Sequence, residues 1–408
     1  MKHVIIGAGA AGITAAGVIR KLRQNDEIVV ISEDKLVTSR CMLHKYISGE
    51  REAEKLSFVP DDFFVNNNIK RLAGTVVTGI DTAAKKVISA DGETDYDKLL
   101  IATGSQSAIP PVGALRTAKN VFGLRHFTDA KAIREAAAGA RKVAVIGGGL
   151  VGLDAVYALL DLKKDISVVD IAPRILAINL EEKAAAAYYE RFVDAGCKFY
   201  LACGVSGTAE DDKGNVTEIK LADGRSLPCD MVIAAAGVRP ATAFIEGSGI
   251  DCDRSIKTDE HLKTNCADVF AAGDVTGLSG IWPNAKRQGE VAARNMCGEK
   301  TEYKDRYAIK NTVNFFGLLT MSIGAPEPEE NDTVLLREDH RIYQKVILRD
   351  GCVAGVTLQG DISNSGFWQY LIKNKIRVDA AGKPVWKLSF ADFCSLDEKG
   401  EYLWTTAG

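Results

Sequence analysis

The 408-residue sequence has no CxxC pair, no apolar run long enough to cross a bilayer and no surplus of basic charge, and each absence removes a class of function. Nine cysteines, an odd number, fall at 41, 197, 203, 229, 252, 266, 297, 352 and 394. Without paired spacing they form neither a disulfide framework nor a zinc site, so the sequence predicts no bound metal and a reducing, cytoplasmic setting. The longest apolar stretch, Val143 to Leu160, is broken by four glycines and by Asp154, whereas a membrane span needs roughly 20 continuous apolar residues. The opening stretch, Met1 to Ile19, carries Lys2 in the manner of a signal peptide, but its glycine spacing reads better as a nucleotide-binding turn. Lys and Arg total 51 against 54 Asp and Glu, and a net charge of -3 offers no electrostatic footing for nucleic acid.

What is present is an ordinary globular composition, 46% hydrophobic and 26% charged, over a length that predicts two to three domains. Val4 to Ile6 runs into Gly7-Ala8-Gly9-Ala10-Ala11-Gly12, then a helical pattern to Leu22 and a second apolar run, Ile28 to Ile31. The same order of strand, glycine turn, helix and strand recurs at Val143 to Ile146, Gly147-Gly148-Gly149-Leu150-Val151-Gly152, a helix to about Leu162, and Ile166 to Val169. Each is a βαβ unit, which implies parallel strands with helices laid against them. Pro110-Pro111 and Arg239-Pro240 mark crossings out of and back into the first unit. The fold expected is α/β, with two Rossmann-like dinucleotide-binding domains, one inserted in the other, and a small C-terminal α+β domain. The predicted boundaries are 1–110 with 243–310 for the first domain, 111–242 for the inserted one and 311–408 for the last. In that last region Tyr343 to Leu348 and Val353 to Leu358 read as strands about a turn at Asp350-Gly351, with a helix near Phe367 to Lys373.

The glycines of a GxGxxG turn permit tight backbone curvature and close approach of a pyrophosphate to the helix N-terminus. A carboxylate at the end of the next strand then bonds the ribose, and Glu33 and Asp170 stand 21 and 18 residues beyond Gly12 and Gly152. Two complete fingerprints predict two dinucleotide sites. Asp170 would repel the 2′-phosphate of NADPH by about 1 to 4 kcal/mol, which favours NADH, and Arg174 reads as a solvated charge.

These motifs, together with Leu99-Leu100-Ile101-Ala102-Thr103-Gly104 and Val269-Phe270-Ala271-Ala272-Gly273-Asp274, resemble the FAD-dependent pyridine nucleotide-disulfide oxidoreductases, the two-dinucleotide-binding flavoproteins. The resemblance implies FAD in the first site, at Gly7, Gly9, Ala10, Ala11, Gly12 and Glu33. It implies NAD in the second, at Gly147, Gly149, Leu150, Val151, Gly152 and Asp170. Asp274, after Gly273, would bond the ribityl or phosphate part of FAD, with Thr103, Gly104 and Arg40 near the flavin side, Gly237 near the nicotinamide and Trp282 as a cap. Residues 311–408 are similar to the C-terminal domain of NADH-rubredoxin oxidoreductases and of the flavoprotein part of nitrite reductases, through Phe315-Phe316-Gly317, Ser322-Ile323-Gly324, Val353-Ala354-Gly355 and Gln359-Gly360-Asp361. That likeness implies electron transfer between NADH and rubredoxin or another small iron-sulfur protein, or a place as a subunit of a larger complex.

The segment Thr38 to Glu50 reads two ways. In one, Cys41 is a redox thiol of a disulfide or persulfide reductase, NADH oxidase or peroxidase, although His44-Lys45 replaces the Pro-Tyr of those relatives. In the other, Arg40 and Lys45 to Gly49 match the rubredoxin and nitrite reductases, and Cys41 is a small apolar filler. Lys45 and Asp154 are expected to pair beside flavin and nicotinamide, which makes Cys41, Lys45 and Asp154 the candidate catalytic residues. His44 and His126 read as structural. A third reading, a docking subunit holding FAD without turnover, stays open on the same residues.

Overall fold

The first strand, Lys2–Ile6, buries Val4 and Ile5 completely on its two faces, as a strand covered on both sides must. The computed structural model describes residues 1–304, 310–399 and 401–404. The chain divides into two compact units, one of residues 1–147, 151–167 and 205–305 and one of 148–150, 168–204 and 306–408.

In the first unit, five parallel strands lie in the order Val269–Ala271, Lys98–Ile101, Lys2–Ile6, Glu27–Ser32, Lys70–Ala73. The order places both glycine-bearing sequence motifs, Ala102-Thr103-Gly104 and Ala272-Gly273-Asp274, at the carboxyl end of neighbouring strands beside Gly7. One face is covered by the helices Ala10–Leu22 and Trp282–Met296, through Ala15, Ala16, Ile19, Val291 and Ala292. These two helices touch closely because Gly289 has no side chain. A Cβ there would overlap the Ala11 carbonyl and lie 2.8 Å from its carbon. The other face buries Val29, Ile31, Leu99 and Ile101 with Ile80 and Val87, from a three-stranded antiparallel sheet that ends at Asp95.

The same unit holds a second parallel set, Lys142–Ile146 beside Met231–Ala234 beside Val121–Phe122, and an antiparallel sheet of Val205–Glu210, Val216–Leu221 and Ser226–Pro228. The antiparallel pair Ser105–Ser107 and Val238–Pro240 joins the two crossing segments.

In the second unit, a five-stranded sheet runs in the order Lys310–Phe315, Leu318–Gly324, Cys352–Gln359, Tyr343–Arg349, Thr333–Glu338, antiparallel throughout. The helix Ser365–Lys373 closes one face with Phe367, Trp368 and Leu371. Against this sheet the helix Glu182–Asp194 sets Tyr188, whose fully buried hydroxyl lies 2.7 Å from the Leu318 carbonyl and 2.8 Å from Thr320 Oγ1. A buried hydroxyl without such partners would cost about 1–3 kcal/mol. The expected mixed α/β class and the C-terminal α+β sheet are therefore present. No helix among the described residues is long and apolar enough to cross a membrane.

Candidate active site

Both glycine turns are built on the same steric plan. Gly7 and Gly147 have φ of +111° and +114°, a conformation closed to L side chains. A Cβ on Gly7 would overlap the Ala102 carbonyl and sit 2.7 Å from its carbon, and one on Gly147 would meet Ala235 in the same way at 2.8 Å. Gly12 and Gly152 face back onto the carbonyls of Gly7 and Gly147, with carbon distances of 3.1 and 3.0 Å for an added Cβ. Gly9 and Gly149 have open space instead, nothing lying within 4 Å of the Cβ position. The outer glycines thus serve packing, while the middle one leaves the approach to the helix start clear.

The first turn opens on a cavity of about 930 Å³, at the upper end of the range for ligand pockets. Gly7 to Gly9, Ser32 to Asp34, Thr38, Arg40, Thr103 and Arg125 line it, with Val238 to Phe244 on the far wall. Glu33 is exposed, 3.5 Å from His126 Nδ1, and Asp34 is 3.2 Å from the same nitrogen. His126, read from sequence as structural, therefore faces the two carboxylates at the strand end. It also caps the helix Phe127–Gly139 through a reciprocal pair with Asp129.

Two arginines stand together on the cavity wall. Arg40 donates to the Ser105 carbonyl at 3.3 Å and borders Gly104. Arg125 donates to the same carbonyl at 3.2 Å and forms an ion pair with Asp274, which Ser105 Oγ also reaches at 3.2 Å. Burial, followed by repulsion from Arg125, lowers the Arg40 pKa to about 10. Desolvated like charges held side by side gain from an anion, and a pyrophosphate fits that need. Sequence reasoning missed Arg125, which no motif carries. It also left Gln288 without a role. Fully buried, Gln288 accepts from the Gly273 N–H at 2.7 Å and lies 3.1 Å from Thr276 Oγ1, fixing the turn that presents Asp274. Gln288→Leu is expected to leave that N–H buried and unpaired and to lower stability by about 1–3 kcal/mol, read from urea denaturation. Thr103 Oγ1 donates to the Ala241 carbonyl at 2.9 Å, tying the crossing segments together. Trp282 packs edge-on to Phe58, with ring centroids 4.8 Å apart.

At the second turn Asp170 accepts from the N–H groups of Gly148 (2.5 Å) and Ala172 (2.8 Å). Arg174 donates to Glu327 at 2.8 Å and to the carbonyls of Ala177 and Leu180, so it is engaged away from Asp170. Gly237, at φ +106°, is exposed with open space at its Cβ position.

The expected pair of Lys45 with Asp154 does not form. Lys45 Nζ binds Glu50 at 2.5 Å, and His44 Nδ1 stands 3.7 Å from Asp154 Oδ1 instead. Both residues lie on the short helix Leu43–Ile47, where successive side chains diverge by about 100°, so only one of the two can face Asp154. Lys45→Ala is accordingly expected to change the rate of flavin reduction by NADH by less than about twofold, in rapid mixing. The exposed Lys45–Glu50 pair contributes at most about 1 kcal/mol. Cys41, just before that helix, is exposed. Although the residue is exposed, the protein around it withdraws part of the water from the thiol and raises its pKa, with the Asp154 carboxylate pushing the same way and Arg125 opposing. Among the described residues no group of three or more His, Cys, Asp or Glu side chains is gathered as metal ligands would be.

Two matched glycine turns, each followed in sequence by a strand-end carboxylate, mark a dinucleotide-binding protein. Residues 1–289 match the pyridine nucleotide-disulphide oxidoreductase model, and residues 310–376 match the rubredoxin NAD+ reductase C-terminal domain. The chain belongs to the pyridine nucleotide-disulphide oxidoreductase family, whose cofactors are FAD and NAD(H). It is 29% identical to an NAD(P)H nitrite reductase of Bacillus subtilis over 93% of this chain and 48% of that one, so it spans about half the length of that relative. It is 28% identical to a rubredoxin-NAD(+) reductase of Alcanivorax borkumensis over 88% of this chain and 94% of that one. The solved NADH:rubredoxin oxidoreductase of Clostridium acetobutylicum is 25% identical and superposes with a TM-score of 0.73, over 91% of this chain and 94% of that chain.

Proposed function

We propose that the chain is an FAD-dependent oxidoreductase carrying electrons between NAD(H) and rubredoxin or another small iron-sulfur protein, in the cytoplasm, alone or as a subunit of a larger complex. The match of residues 310–376 to the rubredoxin reductase C-terminal domain is the observation that carries this reading. FAD, when bound, exchanges a hydride with NAD(H) and electrons one at a time with the iron-sulfur partner. In this reading Gly7 to Gly12, Arg40 and Arg125 hold the FAD pyrophosphate, and Glu33 holds its ribose. Asp274, oriented by Arg125, Ser105 and the Gly273 turn, positions the middle of the cofactor, while Thr103 and Gly104 border its ring. Gly147 to Gly152 with Asp170 take NADH, and the open backbone at Gly237 admits its nicotinamide. Because Arg174 is engaged with Glu327, it does not offset the repulsion between Asp170 and a 2′-phosphate.

The thiol reading has less support. A redox cysteine needs a depressed pKa, and here partial desolvation and Asp154 both raise that of Cys41. Steady-state turnover with NADH tests the choice. Rubredoxin is expected to be reduced at least about 100-fold faster than a disulfide, persulfide or peroxide, and Cys41→Ser is expected to retain that activity. Faster turnover with a sulfur acceptor, lost in Cys41→Ser, would replace this reading with the thiol one.

A further inference from the structure

The segment after Asp170 is folded back onto the second glycine turn. Asp170 accepts from the Gly148 N–H, the Ala172 N–H donates to Asp170 Oδ1 at 2.8 Å, and the Leu176 N–H donates to the Gly148 carbonyl at 2.9 Å. Ile175 packs at the same place, its Cγ2 3.4 Å from where a Cβ on Gly148 would stand. Arg174 lies midway between the anchored residues Ala172 and Leu176, and two residues of chain reach no further than about 7 Å. The carboxylate that would meet a ribose and the arginine four positions beyond it are thus held against one turn.

The Arg174 guanidinium is tied to another part of the chain. Its Nη2 donates to Glu327 Oε1 at 2.8 Å and to the carbonyls of Ala177 and Leu180, each at 3.3 Å, while its Nε is buried without a hydrogen-bond partner. A guanidinium binds best through paired donors, and this one is held through a single nitrogen. Glu327 is presented by a stiff loop. It stands between Pro326 and Pro328, whose rings fix φ, and follows Ala325, whose N–H donates to the Ala354 carbonyl at 2.9 Å. Its Oε2 faces the buried Lys345 Nζ at 3.7 Å, and that Nζ also faces the buried Glu181, the cap of the helix Glu182–Asp194, at 3.8 Å. Lys345 therefore keeps a carboxylate partner when half-exposed Glu327 is replaced.

We infer that Glu327 is a positioning residue that sets the choice between the two nicotinamide dinucleotides, by holding Arg174 off the nucleotide and leaving Asp170 unopposed against a 2′-phosphate. The inference rests on the reading of Gly147 to Gly152 with Asp170 as the NADH site. Released from Glu327, the long arginine side chain reaches a 2′-phosphate and gives it two parallel N–H···O bonds, with Nε as one donor. Asp170 remains in place, so the preference for the unphosphorylated nucleotide narrows.

The test titrates NAD+ and NADP+, neither of which reduces the oxidised flavin, into the full FAD-loaded chain by calorimetry. Wild type is expected to bind NAD+ about fivefold to several hundredfold more tightly than NADP+. In Glu327→Ala the Kd for NADP+ is expected to fall about 10-fold or more, while that for NAD+ stays within about twofold. Glu327→Gln, which keeps the size of the side chain and drops its charge, is expected to change in the same direction. In Glu327→Ala combined with Arg174→Leu the gain is expected to vanish, which a merely structural role for Glu327 would not produce. A gain that survives Arg174→Leu would overturn the inference, because it would come from removing the Glu327 charge alone. An NADP+ affinity that neither Glu327 variant moves, with NAD+ still bound, would overturn it as well and leave the nucleotide site standing. Failure of wild type to bind NAD+, or binding that Gly152→Ala does not weaken, would instead defeat the reading of the second turn as the nucleotide site and take the inference with it.

Discussion

Gly12→Ala is expected to purify without FAD, its affinity for the cofactor reduced by about 100-fold or more. The added Cβ would overlap the Gly7 carbonyl oxygen, lie 3.1 Å from its carbon and press on Ile5 Cγ2 at 3.2 Å. None of these neighbours is the free end of a flexible side chain, since Gly7 is held by its own N–H donating to the Ile31 carbonyl at 2.7 Å and Ile5 is fully buried. The turn must therefore move, and it is the turn that presents open backbone to the pyrophosphate. A displacement costing about 2.7 kcal/mol gives the 100-fold loss. Gly152→Ala supplies the matched comparison, with its Cβ 3.0 Å from the Gly147 carbon. It is expected to retain flavin absorbance at wild-type stoichiometry while its KM for NADH rises by a similar factor. Flavin content after gel filtration, with NADH saturation curves for both variants, checks the pair. FAD lost from Gly152→Ala and kept by Gly12→Ala would reverse the assignment of the two sites.

Arg125→Leu is the second large effect. Arg125 and Asp274 are only 17% and 16% exposed, so removing the cation strands a carboxylate in a poorly solvated wall. Breaking a buried ion pair costs about 3–5 kcal/mol, and the residual exposure here reduces that to about 2 kcal/mol. The stranded charge also faces the anionic part of the cofactor. FAD affinity is therefore expected to fall about 30-fold, measured by reconstitution of apoprotein. Combining Arg125→Leu with Asp274→Asn removes the orphan charge and is expected to recover part of the loss, the rest being the direct hold of Arg125 on the pyrophosphate. A double variant that binds FAD no better than Arg125→Leu would show that Arg125 acts on the cofactor directly rather than through Asp274.

The nucleotide cradles were legible in the sequence because their chemistry is local. Gly7, Gly9 and Gly12 answer to one turn and the strand beside it, and the pattern repeats intact at Gly147. Parallel strands with buried apolar residues likewise announced themselves as short runs, from Val4 to Ile6 through Leu99 to Ala102. The supports around the cradles were not legible, since they depend on residues that only the folded chain brings together. Arg125 meets Asp274 across 149 positions, and Gln288 reaches back to Gly273 from a helix whose start gave no hint of the bond. Lys45 shows the limit most clearly. The sequence leads to a Lys45–Asp154 pair, but on a helix of five residues the rotation by one position decides which side chain faces Asp154, and His44 takes the place expected of its neighbour.

In the proposed function, flavin alone stores the electrons of NADH before they leave singly. Anaerobic titration of the purified protein with NADH, followed by visible absorbance, addresses it directly. Full bleaching of the flavin is expected after about one equivalent, without a long-wavelength band and with the same curve in Cys41→Ser. Consumption of a second equivalent, with a long-wavelength thiolate-flavin band that Cys41→Ser abolishes, would contradict it and make Cys41 a redox centre.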